Sequence, residues 1–551
     1  MVDEHPALDA GIANALLQLH AEAARFRSGE LAPDQFRGLR VAQGIYEQRR
    51  AGRFMLRLRM AGGYVTFNQL ESLALAAEAV GGPRLHITTR QDIQLHDLTL
   101  EAALRVQGEL LGVGLTSYGS GGNTVRNVVV DPLSGLMSGD AFDVGPHALA
   151  LASRYLGPGR HPSLPRKFKM ALSASDEDRG GAAVSDLGFV ARRKGDALGF
   201  GVYVAGGLGQ GATVGLELTS WVDADAIFDI ADTMIRLFAE RGDRVHRHRA
   251  RLRHVRKDLG DEAFLDLCRQ EIAKAAGRSV EPSRGIDAVA PGVATKVDAP
   301  TALRDERPGV FSQQEPGKVC VRLAPSQGDL SASSLQALVR IARGRCSDRL
   351  RLGLEQDLWL THVESSELEG LLAELAGLGL GTPVERPSPV IACSGAATCQ
   401  LGLLQSRGAA NAVERQSDAL RRLELAGPIR ISGCPNACSR HLVAPLGFEG
   451  RTKRVQGRLM PHYSVFFGGT DRGAQATLGH KLGAVPAKRL DEFVVALSQL
   501  PRPLSESDIA GCVSAFSELP ETIPEDWFFD WGRSSPIDLS ELGAGECAAS
   551  V

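Results

Sequence analysis

The chain has 551 residues, nine of them cysteine, and a formal charge of −3. That length outgrows one hydrophobic core and predicts several domains, and the near-neutral charge argues against an extended nucleic-acid-binding face. Acids in "MVDEHPALDAGIANALLQLH" stand where a secretory signal is positive, and no run of about 18 apolar residues predicts a membrane span, so a cytoplasmic protein is expected. An odd number of scattered cysteines is unlike a disulfide framework.

In chain order, a helical segment is expected over 1–39. A unit at 40–125 then reads strand, helix, strand, helix: "FMLRLRM", "TFNQLESLALAAEAVG", "LHITTRQDIQLH" and "LEAALRVQGELLGVG". A block at 126–275 follows, with a Gly-rich strand end, "GFGVYVAGG". Residues 276–309 are rich in proline, glycine and charge and read as a linker. The pattern then recurs: a second unit at 310–385, a second block at 386–500 ending its strand in "HYSVFFGG", and a tail at 501–551 carrying a lone Cys547. The units align without gaps at an offset of 265, which pairs Arg57 with Arg322, Arg84 with Arg349, Gln91 with Gln356, Asp92 with Asp357 and Gly112 with Gly377. A duplicated α+β protein with two pseudo-equivalent halves is therefore expected.

Strand side chains alternate between faces. In 53–60, Arg53, Met55, Arg57 and Arg59 share one face. In 86–96, read as one strand, His86, Thr88, Arg90, Asp92, Gln94 and His96 share a face. "NTVRN" adds Arg126, and "LPRKFKMAL" sets Lys167 and Lys169 opposite Phe168. Any one such face is normal for a half-exposed sheet. Four cationic segments in one half, with few acids to pair them, point instead to a bound polyanion. The second half departs from this, because Glu355 stands where Arg90 stood. "GGLGQG" at 206–211 resembles a dinucleotide loop but lacks the βαβ unit and the ribose acid, so it is read as a structural turn or cofactor-cradling loop.

The second half carries "ACSGAATCQLG" and "SGCPNACSRH", which place Cys393 and Cys399 in one pair and Cys434 and Cys438 in another. Four thiols in two pairs suit an iron–sulfur cube or a zinc site, and the wide first spacing counts against zinc. A thioredoxin-like redox pair would be closer still. The spacing alone leaves cluster, zinc and coincidence open. Cys268, Cys320, Cys346 and Cys512 read as small hydrophobes, and His441 as structural.

Cys-x5-Cys followed by Gly-Cys-Pro-Asn-x-Cys, with "MLRLRMAGG", "TTRQDIQLH", "NTVRN" and "LPRKFK", resembles the assimilatory sulfite and nitrite reductases that carry sirohaem and a [4Fe–4S] cluster. The resemblance runs from about residue 35 to 500 and takes in the duplication. It implies two ferredoxin-like half-units packed as one lobe, two further α+β lobes, and sirohaem between them. It implies that Cys393, Cys399, Cys434 and Cys438 hold the cluster, with Cys438 also bridging to the sirohaem iron. Arg57, Arg126, Lys167 and Lys169 would bind the anionic substrate and supply protons. His86, Thr88, Arg90, Gln94 and His96 would contact sirohaem carboxylates, although His86 stands where the family pattern leads one to expect arginine. The implied reaction is six-electron reduction of sulfite to sulfide. Nitrite to ammonia is the alternative, and plant-type nitrite reductases tend to place asparagine where Lys169 stands. A ferredoxin or flavoprotein would donate the electrons, since the chain shows no flavin or pyridine-nucleotide domain. A zinc-stabilised binding protein and a relative of the corrin-synthesis monooxygenases are the competing readings.

Overall fold

A computed structural model describes residues 10–276, 308–380, 390–472, 476–533 and 535. The expected linker, except for its ends, and Cys547 lie outside the described residues.

The two half-units share one lobe. One sheet orders its strands Ile45–Glu47, Phe54–Leu58, Ile93–Leu98, Leu85–Ile87 and Asp329–Leu330. The other runs Val310–Ser312, Lys318–Leu323, Leu358–Glu364, Arg349–Leu352 and Tyr64–Thr66. Each sheet thus ends on a strand from the other half: Asp329 pairs with His86, and Tyr64 with Arg351. A single apolar core joins them, with Leu56, Leu58, Ile87 and Leu95 from one half and Val321, Leu323, Leu350 and Leu360 from the other. The duplication extends to the helix caps. Helices Phe67–Ala79 and Ala332–Ala342 start at Thr66 and Ser331, whose hydroxyls accept from the amides of Gln69 and Ser334. The exchange of edge strands covers edges that would otherwise be open.

One expectation is corrected. The segment read as a single strand over 85–96 is a hairpin, Leu85–Ile87 and Ile93–Leu98, paired antiparallel. Thr88 Oγ1 accepts from the amides of Arg90 (3.2 Å) and Asp92 (3.0 Å), and Gln91 takes the left-handed conformation at φ 56°. Gln356 repeats this at φ 59° in the second half. His86 and Gln94 are cross-strand partners, so they still share a face, while Thr88 and Arg90 sit in the turn.

The remaining two lobes are copies of each other. One sheet orders Val129–Val130, Met170–Ser173, Leu187–Lys194, Ala197–Val204 and Leu216–Asp223; the other orders Val390–Ala392, Ile429–Ser432, Leu446–Val455, Arg458–Phe467 and His480–Pro486. In both, the first three strands are parallel and the last two antiparallel. Each has its own core. The helix Glu506–Ser517 adds Ile509 and Val513 to the second of these cores, so the chain continues that lobe beyond residue 500. Apolar side chains at helical spacing in "SESDIAGCVSAFS" account for it. The helices Ala10–Arg27 and Pro33–Ala42 lie against the double half-unit, with Leu19, Ala23 and Phe36 in its core.

Candidate active site

The parallel strand Ile429–Ser432 ends in the turn that carries Cys434 and Cys438, and Ser432 Oγ meets Ser439 Oγ at 2.6 Å across its neck. Its neighbour Val390–Ala392 ends at Cys393, and the short helix Gly395–Thr398 ends at Cys399. Backbones here touch. A Cβ on Gly433 would stand 2.5 Å from the Leu404 carbonyl oxygen, and one on Gly395 would stand 2.4 Å from Ser406 Oγ. Glycine is required for that approach. The sulfurs are met by donors: the Gly433 amide to Cys393 Sγ at 3.2 Å, Asn436 Nδ2 to Cys434 Sγ at 3.5 Å, and the Leu401 amide to Cys399. Burial, with the other thiols adding to it, pushes Cys393 and Cys399 up to about 12. Such thiols deprotonate only against a compensating metal charge. Among the described residues no three His, Cys, Asp or Glu side chains converge at single-ion spacing. Four mutually interacting thiols in two pairs suit a cube of iron and sulfide.

Cys438 is the exposed thiol of the four, while its neighbours include Lys167, Lys169 and Arg57 from the other two lobes. It opens onto the cationic face. Arg57 donates to the Ser120 carbonyl (3.2 Å) and lies 5.2 Å from the Tyr46 ring centroid. With its amide oriented to suit its neighbours, Gln94 accepts from Arg57 Nε (3.0 Å) and Nη2 (2.9 Å) and donates to His96 Nε2 (3.0 Å). Arg126 donates to the carbonyls of Ser120 and Gly122, both at 2.7 Å, and Arg90 to that of Asn127 at 2.7 Å. These bonds fix the guanidinium planes through neutral acceptors and leave their charge uncompensated. Arg90 Nε and Arg126 Nε are buried without partners. Of the nearby carboxylates, Asp186 is held by Arg251 at 2.7 and 3.2 Å, and burial raises the carboxyl of Asp92. Burial, then Arg251 and Arg126, pulls Lys167 down to about 7, and burial, Arg90 and Lys167 lower Lys169 as well. Cations depressed by one another, with orphaned donors, fit a ligand carrying several carboxylates.

The structure therefore brings Arg57, Arg90, Arg126, Lys167, Lys169 and Cys438 together from three lobes. His86 and His96 stand behind them, buried and held neutral by desolvation. His86 Nδ1 meets Asp329 Oδ1 at 3.0 Å and its Nε2 meets Gln356 Nε2 at 3.2 Å; His96 Nδ1 meets Gln48 Nε2 at 3.2 Å. Thr88 shapes the turn under Arg90. Sequence reasoning missed Tyr46, Arg251 and Thr89, whose hydroxyl donates to the Cys438 carbonyl at 2.7 Å. Only the repeated Thr of "TTRQD" offered a signal for any of these. "GGLGQG" forms neither a nucleotide loop nor a free turn: a Cβ on Gly209 would lie 3.3 Å from the Asn436 carbonyl oxygen, so the loop packs on the cysteine turn. Cys268 and Cys320 are buried and raised to about 12 by burial; Cys346 and Cys512 are half-buried.

The chain matches two family models, the nitrite and sulphite reductase 4Fe-4S domain over residues 121–275 and the nitrite/sulfite reductase ferredoxin-like half domain over 46–113 and again over 312–378. The four cysteines lie beyond the first match, in the copy of that lobe. A ferredoxin–nitrite reductase of Synechococcus elongatus is 31% identical over 440 residues, covering 78% of this chain and 82% of the relative. A ferredoxin sulfite reductase of Mycolicibacterium paratuberculosis is 28% identical over 444 residues, covering 79% and 77%. The fold is that of the Mycobacterium tuberculosis NirA protein, with a TM-score of 0.76 at 23% identity, covering 93% of this chain and 97% of that one. No described helix is long and apolar enough to cross a membrane. With a duplicated half-unit, a cluster of cations and four clustered thiols, the chain belongs to the nitrite and sulfite reductases that use sirohaem and a [4Fe–4S] cluster.

Proposed function

We propose that this enzyme reduces sulfite to sulfide, with Cys393, Cys399, Cys434 and Cys438 holding the cluster and Arg57, Arg126, Lys167 and Lys169 handling the anion. The observation that carries the reading is the meeting of Cys438 with Lys167, Lys169 and Arg57, from three lobes. Sirohaem and the cluster, when bound, would supply the electrons one at a time. The chain's own residues do the rest. Arg57 and Arg126, pinned by carbonyls, present fixed donors to oxyanion oxygens and stabilise negative charge there. Lys167, with its ammonium destabilised by burial, passes its Nζ proton to a departing oxygen more readily than a lysine in water. Six electrons and eight protons convert the sulfite dianion to hydrogen sulfide and three waters, so repeated proton delivery is part of the task. Arg90, with Thr88, Gln94, His86 and His96 shaping and backing it, would engage sirohaem carboxylates. A reduced ferredoxin would donate the electrons, as the names of the relatives state for those proteins, with a flavoprotein as the alternative. The reading keeps a cytoplasmic location, where such a carrier is at hand.

Nitrite is the second reading, favoured by the 31% identical nitrite reductase. Against it stands Lys169: sulfite at neutral pH is partly dianionic, and a further cation offsets more of that charge than nitrite presents. The test is kcat/KM for both anions with one artificial donor. Sulfite preference is expected, and a tenfold preference for nitrite, about 1.4 kcal/mol of transition-state binding, overturns the assignment. Colourless, zinc-loaded protein from cells able to make sirohaem would instead end the enzyme reading.

A further inference from the structure

Tyr463 sits on the strand Arg458–Phe467 in the cluster lobe, fully buried, and its hydroxyl has no hydrogen-bond partner. Its cross-strand neighbour is Gly450, and a Cβ there would point at the Gly433 carbonyl oxygen from 2.7 Å. Cross-strand neighbours share a face, so the Tyr463 ring rises on the side of the sheet that bears the cysteine turn. Cys393 and Asp530 are its electrostatic neighbours. Asp530 is already engaged, accepting from the amides of Gln405 (2.6 Å) and Trp531 (2.8 Å).

The companion lobe supplies a control. There the register that pairs Leu187 with Val204 matches the one that pairs Leu446 with Phe467, so Phe200, opposite Ala191, occupies the place of Tyr463, opposite Gly450. Phe200 is also fully buried. A phenyl ring therefore fills this place in the fold. The hydroxyl adds nothing to packing, and burying it without a partner costs stability. It occurs in the lobe with the thiols, where Gly450 stands in the place of Ala191 and lets the strand pass close against the Gly433 backbone.

We propose that the Tyr463 hydroxyl donates a hydrogen bond to the sulfur shell of the cluster on its Cys393 side and thereby raises the cluster's reduction potential. The proposal rests on the four-thiol reading above. A donor to sulfur stabilises the more negative, reduced cluster over the oxidised one, and its removal reverses that.

The test is a redox titration of Tyr463→Phe holoenzyme followed by the paramagnetic signal of the reduced cluster, with the sirohaem couple in the same sample as reference. The cluster couple should move to more negative potential relative to sirohaem. Electron–nuclear double resonance in heavy water should show one exchangeable proton coupling lost from the cluster. Phe200→Tyr should leave both signals unchanged. If Tyr463→Phe fails to assemble its cluster, the wild-type chain grown with ring-fluorinated tyrosine, a stronger donor, should shift the couple the other way. An unmoved couple, or an unchanged set of proton couplings, overturns the proposal. A wild-type protein with no cluster signal at all would refute the four-thiol reading instead, which is a different result.

Discussion

The two companion lobes solve one structural problem with opposite chemistry. The registers Val130 with Leu172 and Ala392 with Ile431, and the left-handed residues Asp178 (φ 50°) and Ala437 (φ 51°), superpose the two turns. Cys393 then stands where Asp131 stands, and Cys438 where Arg179 stands. In the first lobe these positions form a buried ion pair at 2.9 Å, with Asp140 also on Arg179. The half-units reach both places alike: Gln91 donates to the Val130 carbonyl at 2.7 Å, and Gln356 to that of Ala392 at 2.9 Å. The strand ends must be tied together, and either an ion pair or thiols on a metal centre can do it. The cavities differ in the same way. Beside Cys438, Arg57, Arg90, Lys167 and Lys169 gather with little acid; in the counterpart, Arg322 donates to Asp357 (2.5 Å) and Glu355 (2.6 Å), and Glu355 also accepts from Arg430 (3.3 Å). Continuing the register places Ala426 and Pro428 opposite Lys167 and Lys169. One cavity closes on its own charges, and the other needs an anion from outside.

Cys438→Ser gives the largest expected effect. It removes the thiol that faces the cations, and viologen-driven turnover should fall by at least about 10³-fold, roughly 4 kcal/mol of transition-state stabilisation, with iron content reduced. Arg179→Ala makes the matching change in the other turn. It leaves Asp131 and Asp140 buried without their cation and should cost about 3–5 kcal/mol in urea denaturation while the cluster signal persists. Loss of the cluster in Arg179→Ala would break the comparison, because the two turns would then not be independent.

Lys167→Met comes next, at about 10²-fold in kcat, roughly 2.7 kcal/mol, the range for a positioned proton donor. Its pH profile carries more information than its size. The pKa of Lys167 is lowered to about 7 by burial, Arg251 and Arg126, with Cys438 opposing. Below that value it is an ammonium that binds anions and gives protons; above it, it is an amine that does neither. Activity should therefore hold at lower pH and fall as pH rises through the lysine's pKa. Bound carboxylates and substrate raise that pKa, so the falling limb lies at or above pH 7. Lys167→Met should abolish this limb, and a profile unchanged in shape would remove Lys167 from proton delivery.

Much of this comparison was legible in the sequence and part was not. The half-unit repeat stood out because Arg84–Arg349, Gln91–Gln356 and Asp92–Asp357 keep one register. Those residues hold turns and ties that the two halves both need. The cysteine pairs were legible because four thiols at such spacing are chemically distinctive. The hairpin at 85–98 was not: its turn is made by the Thr88 hydroxyl and a left-handed Gln91, without the Gly or Pro that normally marks one, and polar alternation runs straight through it. The exchanged strands Asp329–Leu330 and Tyr64–Thr66 are too short to show a period. The match of Cys393 with Asp131 was invisible because the two lobes share geometry there and almost no residue types.

Glu355→Gln probes the counterpart cavity. Burial raises the Glu355 carboxyl, but Arg322 and Arg430 outweigh it and hold the group below its usual value. Removing the charge leaves Arg430 underpaired and should cost about 1–2 kcal/mol of stability, less than a fully buried pair because Glu355 is partly exposed. Turnover should hardly change. A matching loss of activity would mean that the second cavity takes part in catalysis.

Lys169→Asn is the smallest effect and the sharpest for substrate. The residue sits beside Lys167, Arg90 and Arg251, and their charges, with burial, depress its own. Asparagine keeps a hydrogen-bond donor of shorter reach and removes one unit of charge from the cavity wall. The dianionic fraction of sulfite loses two charge–charge terms' worth of attraction where nitrite loses one, so the loss should be unequal. At an effective dielectric of about 20 and a distance of about 5–8 Å, such a term is about 2–3 kcal/mol before screening by the other cations. A selectivity shift of roughly threefold to tenfold toward nitrite in kcat/KM is therefore expected, with both rates lowered. Like charges set side by side oppose one another's protonation, so the variant should also move the falling limb of the pH profile upward. A shift in that limb without any change in selectivity would assign Lys169 to tuning its neighbour, and would leave sulfite and nitrite to be distinguished elsewhere in the cavity.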